Sequence, residues 1–247
     1  MPLAVAALAA ILVSTARAEW PAAATHYSES DMRIWCLVQE QATASRHCAK
    51  QQKRTPDYVW TEMAKGLIDG QRRWWPGRPD KTLDVLAYAL TETGGNVVFH
   101  RTRWGWEIGC MGLNHNLAKE ACDFWQIKMP KTTDALMLRL KRDHRWCAYV
   151  TYGALVMNAG QYGGNLLWGV MRTKLGKEGV LREVRKHGDD VAKFPATQGF
   201  LGMRSWLACI EDWQDCGRCL QAFSRADFPG PAGVASGPPV TEWWGGL

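Results

Sequence analysis

A mainly α-helical fold is what this sequence predicts, and three observations predict it. Apolar residues recur at helical spacing in separate stretches, most clearly Val59, Trp60, Met63, Leu67 and Ile68, and then Leu83, Leu86, Ala87 and Leu90. Start and stop signals frame those stretches, with Thr55-Pro56-Asp57 before the first and Gly94-Gly95 after the second. The one long segment without a clean period, Val97 to Lys128, carries Trp104, Trp106 and Trp125, and nothing in its periodicity demands strands. The chain has 247 residues, enough for one substantial core with at most a small appendage, and no internal repeat is found.

Taken in order, the first helix is expected from Ser30 as N-cap and carries Ile34, Trp35, Leu37 and Val38. Cys36 and Cys48 lie on it twelve positions apart, about 18 Å on a straight helix, so either the helix breaks near Ala42 to Ser45 or each cysteine bonds elsewhere. The second helix starts at Thr55-Pro56-Asp57, with Thr55 as its cap. The run Arg72 to Gly77, RRWWPG, reads as a loop: a packed connector with solvated arginines, in preference to a sugar-stacking patch. Asp80 opens the helix that ends at Glu92. Thr132 or Thr133 caps one long helix through Leu136, Leu140, Cys147, Val150 and Ala154 to about Asn158, with Arg139 to Arg145, His144 included, as its solvated face. Further helices are expected at about 165 to 175, 178 to 187 and 200 to 222, the last burying Trp206, Ile210 and Trp213 on one face.

Glu92 is the residue around which this order makes chemical sense. It stands in the last turn of a buried helix, where the negative end of the helix dipole and apolar neighbours both favour the protonated carboxyl. A protonated carboxyl can donate to a leaving oxygen, as cleavage of a glycosidic bond requires.

Three stretches in order, TETGGN at Thr91 to Asn96, DFWQI at Asp123 to Ile127 and VMNAG at Val156 to Gly160, resemble the lytic transglycosylases, lysozyme-like enzymes that cut bacterial peptidoglycan. That family has a glutamate in E-S/T-G-G-N, then G-L-M-Q-I, then A-Y-N-A-G. The resemblance covers roughly residues 83 to 165. Gln126-Ile127 and Asn158-Ala159-Gly160 match, whereas Asp123-Phe124-Trp125 stands for Gly-Leu-Met and Met157 replaces the tyrosine that hydrogen-bonds near the glutamate. Tyr149, Tyr152 and Tyr162 are the candidates to substitute for it. The interval from Glu92 to Gln126 is longer than in the family and reads as an insertion clipped by a Cys110–Cys122 disulfide.

The resemblance implies a lysozyme-like two-lobed domain over residues 28–225, with a small irregular or β region after the glutamate helix. It implies Glu92 as the catalytic acid and base, Gln126 and Asn158 lining the cleft, and Tyr162, Trp125 and Gly95 in contact with substrate. The substrate is the β-1,4 bond between N-acetylmuramic acid and N-acetylglucosamine in peptidoglycan glycan strands, and the product a 1,6-anhydro sugar. No cofactor and no metal are expected, and the protein is expected to act as a monomer, with association to a cell-envelope assembly left open. The alternatives are a goose-type lysozyme hydrolase on the same bond, in which Glu107 or Asp123 would be the second carboxylate, and a secreted wall-binding module without activity.

Compartment comes from the ends and the cysteines. Residues 3–13, LAVAALAAILV, followed by Ala16-Arg17-Ala18, have the apolar core and A-x-A site of a signal peptide over 1–18, with an uncleaved anchor as the alternative; a periplasmic or secreted location follows. A lead-in fills 19–27 and a Pro/Gly-rich tail 226–247. The net charge of +6 suits an anionic polymer but is too scattered for a nucleic-acid partner. Eight cysteines in an exported chain form a disulfide framework of up to four bridges; a zinc site at Cys209, Cys216 and Cys219 lacks a second ligand pair.

Overall fold

The computed structural model describes residues 28–48 and 55–212. The expected signal peptide, lead-in, tail, Trp213, Cys216 and Cys219 lie outside the described residues, as do the side chains of Cys48, Trp206, Cys209 and Ile210. Among the described residues the protein is mainly helical, with a small three-stranded antiparallel sheet. In chain order the elements are α1 (Glu29–Cys48), α2 (Asp57–Trp74), α3 (Pro79–Thr93), β1 (Val98–Thr102), β2 (Gly105–Gly109), β3 (Leu113–Asn114), α4 (His115–Trp125), α5 (Thr133–Arg142), α6 (His144–Gly160), α7 (Leu166–His187) and α8 (Pro195–Asp212), with a 3-10 turn at Val191–Lys193. No described helix is long and apolar enough to cross a membrane.

α1 starts two residues earlier than its Ser30 cap predicts. Ser28 and Asp31 exchange bonds, Ser28 N–H to Asp31 Oδ2 at 2.9 Å and Asp31 N–H to Ser28 Oγ at 3.2 Å, a reciprocal cap that satisfies the helix start. The helix then runs without a break past Ala42 to Ser45, so Cys36 and Cys48 sit on one continuous helix and cannot reach each other. In α2 the expected Thr55 cap is absent. Its hydroxyl donates instead to Gly95 O at 2.6 Å, tying the start of α2 to the end of α3. Arg72, Arg73 and Trp74 prolong α2 where a loop is expected, because each finds a partner: Arg72 pairs with buried Asp31 at 2.8 Å, Arg73 donates to Trp125 O at 2.8 Å and to the Tyr149 hydroxyl, and Trp74 is buried.

α2 and α6 cross at the centre of the core through matched notches. A Cβ on Gly70 would fall 2.6 Å from the Tyr152 ring, and one on Gly153 2.8 Å from the Trp74 ring, so each helix seats an aromatic in the other's glycine. Trp74 and Tyr152 are themselves stacked, centroids 5.7 Å apart. Beside this crossing Arg145 grips Asp69 through two bonds of 2.6 and 3.1 Å, so it departs from the expected solvated face, which Lys141 and Arg142 do form.

The long helix expected from Thr132 to Asn158 is two helices. Thr132 caps α5 by accepting from Ala135 N–H at 3.3 Å, and Asp143 ends it and caps α6 by accepting from Trp146 N–H at 3.0 Å. The apolar period continues across the junction, which hides the break from a pattern reading. His144, expected on the surface, is buried and packs on the Tyr58 ring. α7 contains one non-helical residue, Gly176 at φ 68 and ψ 173, and so consists of two straight pieces. α8 begins at Pro195, in keeping with the preference of proline for a helix start, rather than at 200.

The sheet fills much of the segment without a period. β1 pairs with β2 in the register Phe99↔Ile108, His100↔Glu107, Arg101↔Trp106, and β2 with β3 through Glu107↔Asn114 and Ile108↔Leu113. Paired residues share a face, so Phe99, Ile108 and Leu113 lie on one side and His100, Glu107 and Asn114 on the other. Ile108 and Leu113 are buried, while Phe99 and Trp104 are exposed.

Candidate active site

The last turn of α3 is built from its own sequence. Leu83, Leu86, Ala87 and Leu90 bury one face and leave the Thr91-Glu92-Thr93 turn at the edge of the core. Gly94 ends the helix in the left-handed conformation, φ 59, and donates its N–H to Leu90 O at 2.9 Å, as the Gly-Gly stop predicts. Thr93 knots the turn: its hydroxyl donates to Ala89 O at 2.8 Å and accepts from Gly95 N–H at 3.1 Å. Gly95, at φ 81, lies against Trp60, where a Cβ would come within 2.8 Å of the indole. Its part is therefore to let the chain pass close to α2, and the contact it makes is with protein.

Glu92 emerges from this turn half-buried, its side chain 17% exposed. The apolar surround expected for it is not what it meets. Lys174, on the first piece of α7, puts its ammonium 2.6 Å from Glu92 Oε1. On the opposite side Gly112, in the β2–β3 turn at φ 61, would place a Cβ 3.2 Å from Glu92 Cβ and 3.1 Å from Thr93 Cγ2. Only a residue without a side chain, in a conformation glycine tolerates, lets the sheet approach the glutamate this closely.

Below Glu92, one turn earlier on α3, Tyr88 is buried. Burial, and then the negative charges of Glu92 and Glu107, push its phenol well above its ordinary value. Glu107 is held across the hairpin by His100, Nε2 to Oε2 at 2.9 Å. The arrangement offers a partly exposed carboxylate on a helix end, a lysine that covers it, and a second carboxylate with its own histidine on the facing sheet.

The other residues singled out from sequence are not gathered here. Trp125 donates its indole N–H to Gly153 O at 2.8 Å and packs on Trp74, its centroid 5.5 Å away. Trp74 lies at the end of α2 opposite to Trp60, about 20 Å along the helix, so Trp125 and Gly95 mark opposite ends of α2. Gln126 is exposed beside Trp125 and takes the left-handed C-cap of α4 at φ 53. Asn158 is buried and donates its amide to Thr173 Oγ1 at 2.8 Å, one residue before Lys174, and so ties α6 to α7. Tyr162 stacks on Trp168, centroids 4.9 Å apart. Asp123 pairs with Lys119 at 2.6 Å on the exposed side of α4.

Of the tyrosines considered as partners of Glu92, Tyr149 bonds Arg73, Tyr152 meets Thr82 at 3.1 Å, and Tyr162 packs on α7. Tyr88 stands one turn before Glu92 on the same helix, a four-residue spacing readable in the sequence. Lys174 and Gly112 carried no local signal.

Cys110, Cys122 and Cys147 are free thiols and all buried, so the expected Cys110–Cys122 clip is not formed. Burial pushes the Cys122 thiol up to about 12. Comparison of the chain with protein-family models, with curated proteins and with solved structures finds no match.

Proposed function

We propose that the protein is a lysozyme-like peptidoglycan lytic transglycosylase, exported to the cell envelope, with Glu92 as its acid and base. The observation that carries the reading is the setting of Glu92: a half-buried carboxylate in Thr-Glu-Thr-Gly-Gly-Asn, at the glycine-capped end of a core helix, faced by a small antiparallel sheet. In this reading Glu92 protonates the oxygen that leaves when the β-1,4 bond breaks, then takes the proton of the muramoyl C6 hydroxyl as that oxygen closes the 1,6-anhydro ring. The substrate's N-acetyl group stabilises the positive intermediate, so no protein nucleophile is needed. Lys174 must leave the carboxylate before it can act as an acid, and its side chain, 25% exposed, has an outlet to solvent.

Glu107 supports a second reading. In it Glu107, a carboxylate on the sheet paired with His100 at 2.9 Å, would activate a water on the other face of the sugar, which is hydrolysis. One experiment addresses both. Purified protein is incubated with peptidoglycan and the released muropeptides are analysed by mass spectrometry before and after borohydride reduction. Anhydro ends, lighter by one water and resistant to reduction, are expected, and Glu92→Gln should release nothing while keeping its circular dichroism spectrum. Reducible ends would replace the transglycosylase by a hydrolase, and a folded Glu92→Gln variant with ordinary activity would remove Glu92 from the chemistry.

A further inference from the structure

We propose that Cys110 and Cys147 are the two halves of an intrachain disulfide that fastens the sheet to α6. Cys110 directly follows β2, and Cys147 lies in the first turn of α6; both are buried. Their thiols are presented to each other's backbone. Cys110 Sγ donates to His144 O at 3.6 Å, three residues before Cys147, and Cys147 Sγ donates to Ile108 O at 3.9 Å, two residues before Cys110. Each thiol thus lies within 4 Å of the backbone that flanks the other cysteine. Gly109 permits the approach: at φ 85, a Cβ on it would stand 2.7 Å from Cys147 Sγ and 2.4 Å from Leu140 O. Disulfides need this nearness of backbones and facing side chains. Cys122, the partner suggested by sequence, lies on α4, and burial sets its thiol's character.

The bond forms by exchange with a disulfide-bearing oxidant, such as a protein dithiol oxidase or glutathione disulfide. One cysteine thiolate attacks a sulfur of the oxidant and expels one thiol; the second cysteine attacks the mixed disulfide and expels the other. The pair loses two protons and two electrons, and the oxidant becomes two thiols. Because both sulfurs are shut inside the core, exchange belongs to folding, before α6 closes on the sheet. The bridge spans about forty residues, including α4 and α5, and secures the turn that carries Gly112 to Glu92. Thr93 Oγ1 already lies on that path, 3.4 Å from Cys110 O.

The test is to unfold and reduce the full chain and refold it with a glutathione redox pair. Remaining thiols are then alkylated in denaturant, and the protein is digested without reductant for mass spectrometry. A peptide pair joining Cys110 to Cys147, lighter by two hydrogens than its reduced parts, is expected. Cys110 joined to any other cysteine, or both Cys110 and Cys147 alkylated, overturns the proposal. Melting gives a second measure: the oxidised protein should melt higher than the reduced one, with about 10 °C of that difference lost in the Cys110→Ala/Cys147→Ala variant. An unchanged difference also overturns it, and the mapping stands alone should the variant fail to fold.

Discussion

Lys174 lays its ammonium 2.6 Å from Glu92 Oε1, with 82 residues of chain between the two. The pair joins α7 to the end of α3 and occupies the carboxylate that the proposed reaction needs. The pair is partly buried, 25% and 17% exposed, so it stands between a surface pair worth about 0–1 kcal/mol and a buried one, and it reaches solvent through the lysine.

Lys174→Met should therefore raise peptidoglycan clearing, by at most about fivefold, since the ion pair no longer has to open before Glu92 works. Zymography and the rate of muropeptide release measure it. A loss of tenfold or more would give Lys174 a direct part in the reaction.

Gly112→Ala should impair activity and stability together. The new methyl meets Glu92 Cβ at 3.2 Å and Thr93 Cγ2 at 3.1 Å, in a left-handed conformation that costs about 1–3 kcal/mol for a residue with a side chain. Urea unfolding and clearing assays on the same preparation check it; an unperturbed variant would mean that the turn yields without moving the glutamate.

Glu107→Gln should keep clearing within about threefold and leave the anhydro ends in place, because a transglycosylase needs no second carboxylate. A collapse of activity, with reducing ends in the wild type, would transfer the assignment to the hydrolase.

His144 makes stability depend on pH. Burial pushes its imidazole below the ordinary value of 6.5, with Asp143 and Glu62 opposing, so the unfolded chain binds a proton that the folded one resists. Stability is then complete above about pH 6.5 and falls as pH drops through the window between that value and the lowered folded one. Melting temperatures from pH 7.5 to 5 should show this decline, and His144→Gln should flatten it. An identical decline in the variant would assign the effect to other groups.

The helices were legible because their buried faces repeat within a few residues, as at Val59 to Ile68 and Leu83 to Leu90. The turn at Gly94 was legible for the same local reason. The sheet was not, because Phe99 stands in solvent on the face its partner Ile108 buries, and Trp104 stands in solvent in the turn between β1 and β2. The break at Asp143 hid behind a period that ran on through it. Glu92 could be chosen from its helix and its glycines, but its contacts could not: Lys174 and Gly112 arrive from distant segments, by packing that no window of sequence contains. For Trp125 and Asn158 a motif position does not say whether a donor will be spent inside the protein, and theirs are, on Gly153 O and Thr173 Oγ1.

The reciprocal seating of Trp74 in Gly153 and of Tyr152 in Gly70 decides where this molecule can give under load. Sliding α2 along α6 by a single residue would drive a ring into backbone, so the two helices transmit force as one strut. Compliance is left to Gly176, where α7 has already surrendered its helical ladder. That break separates the piece of α7 that holds Thr173 to Asn158 and Lys174 to Glu92 from the piece that ends at His187.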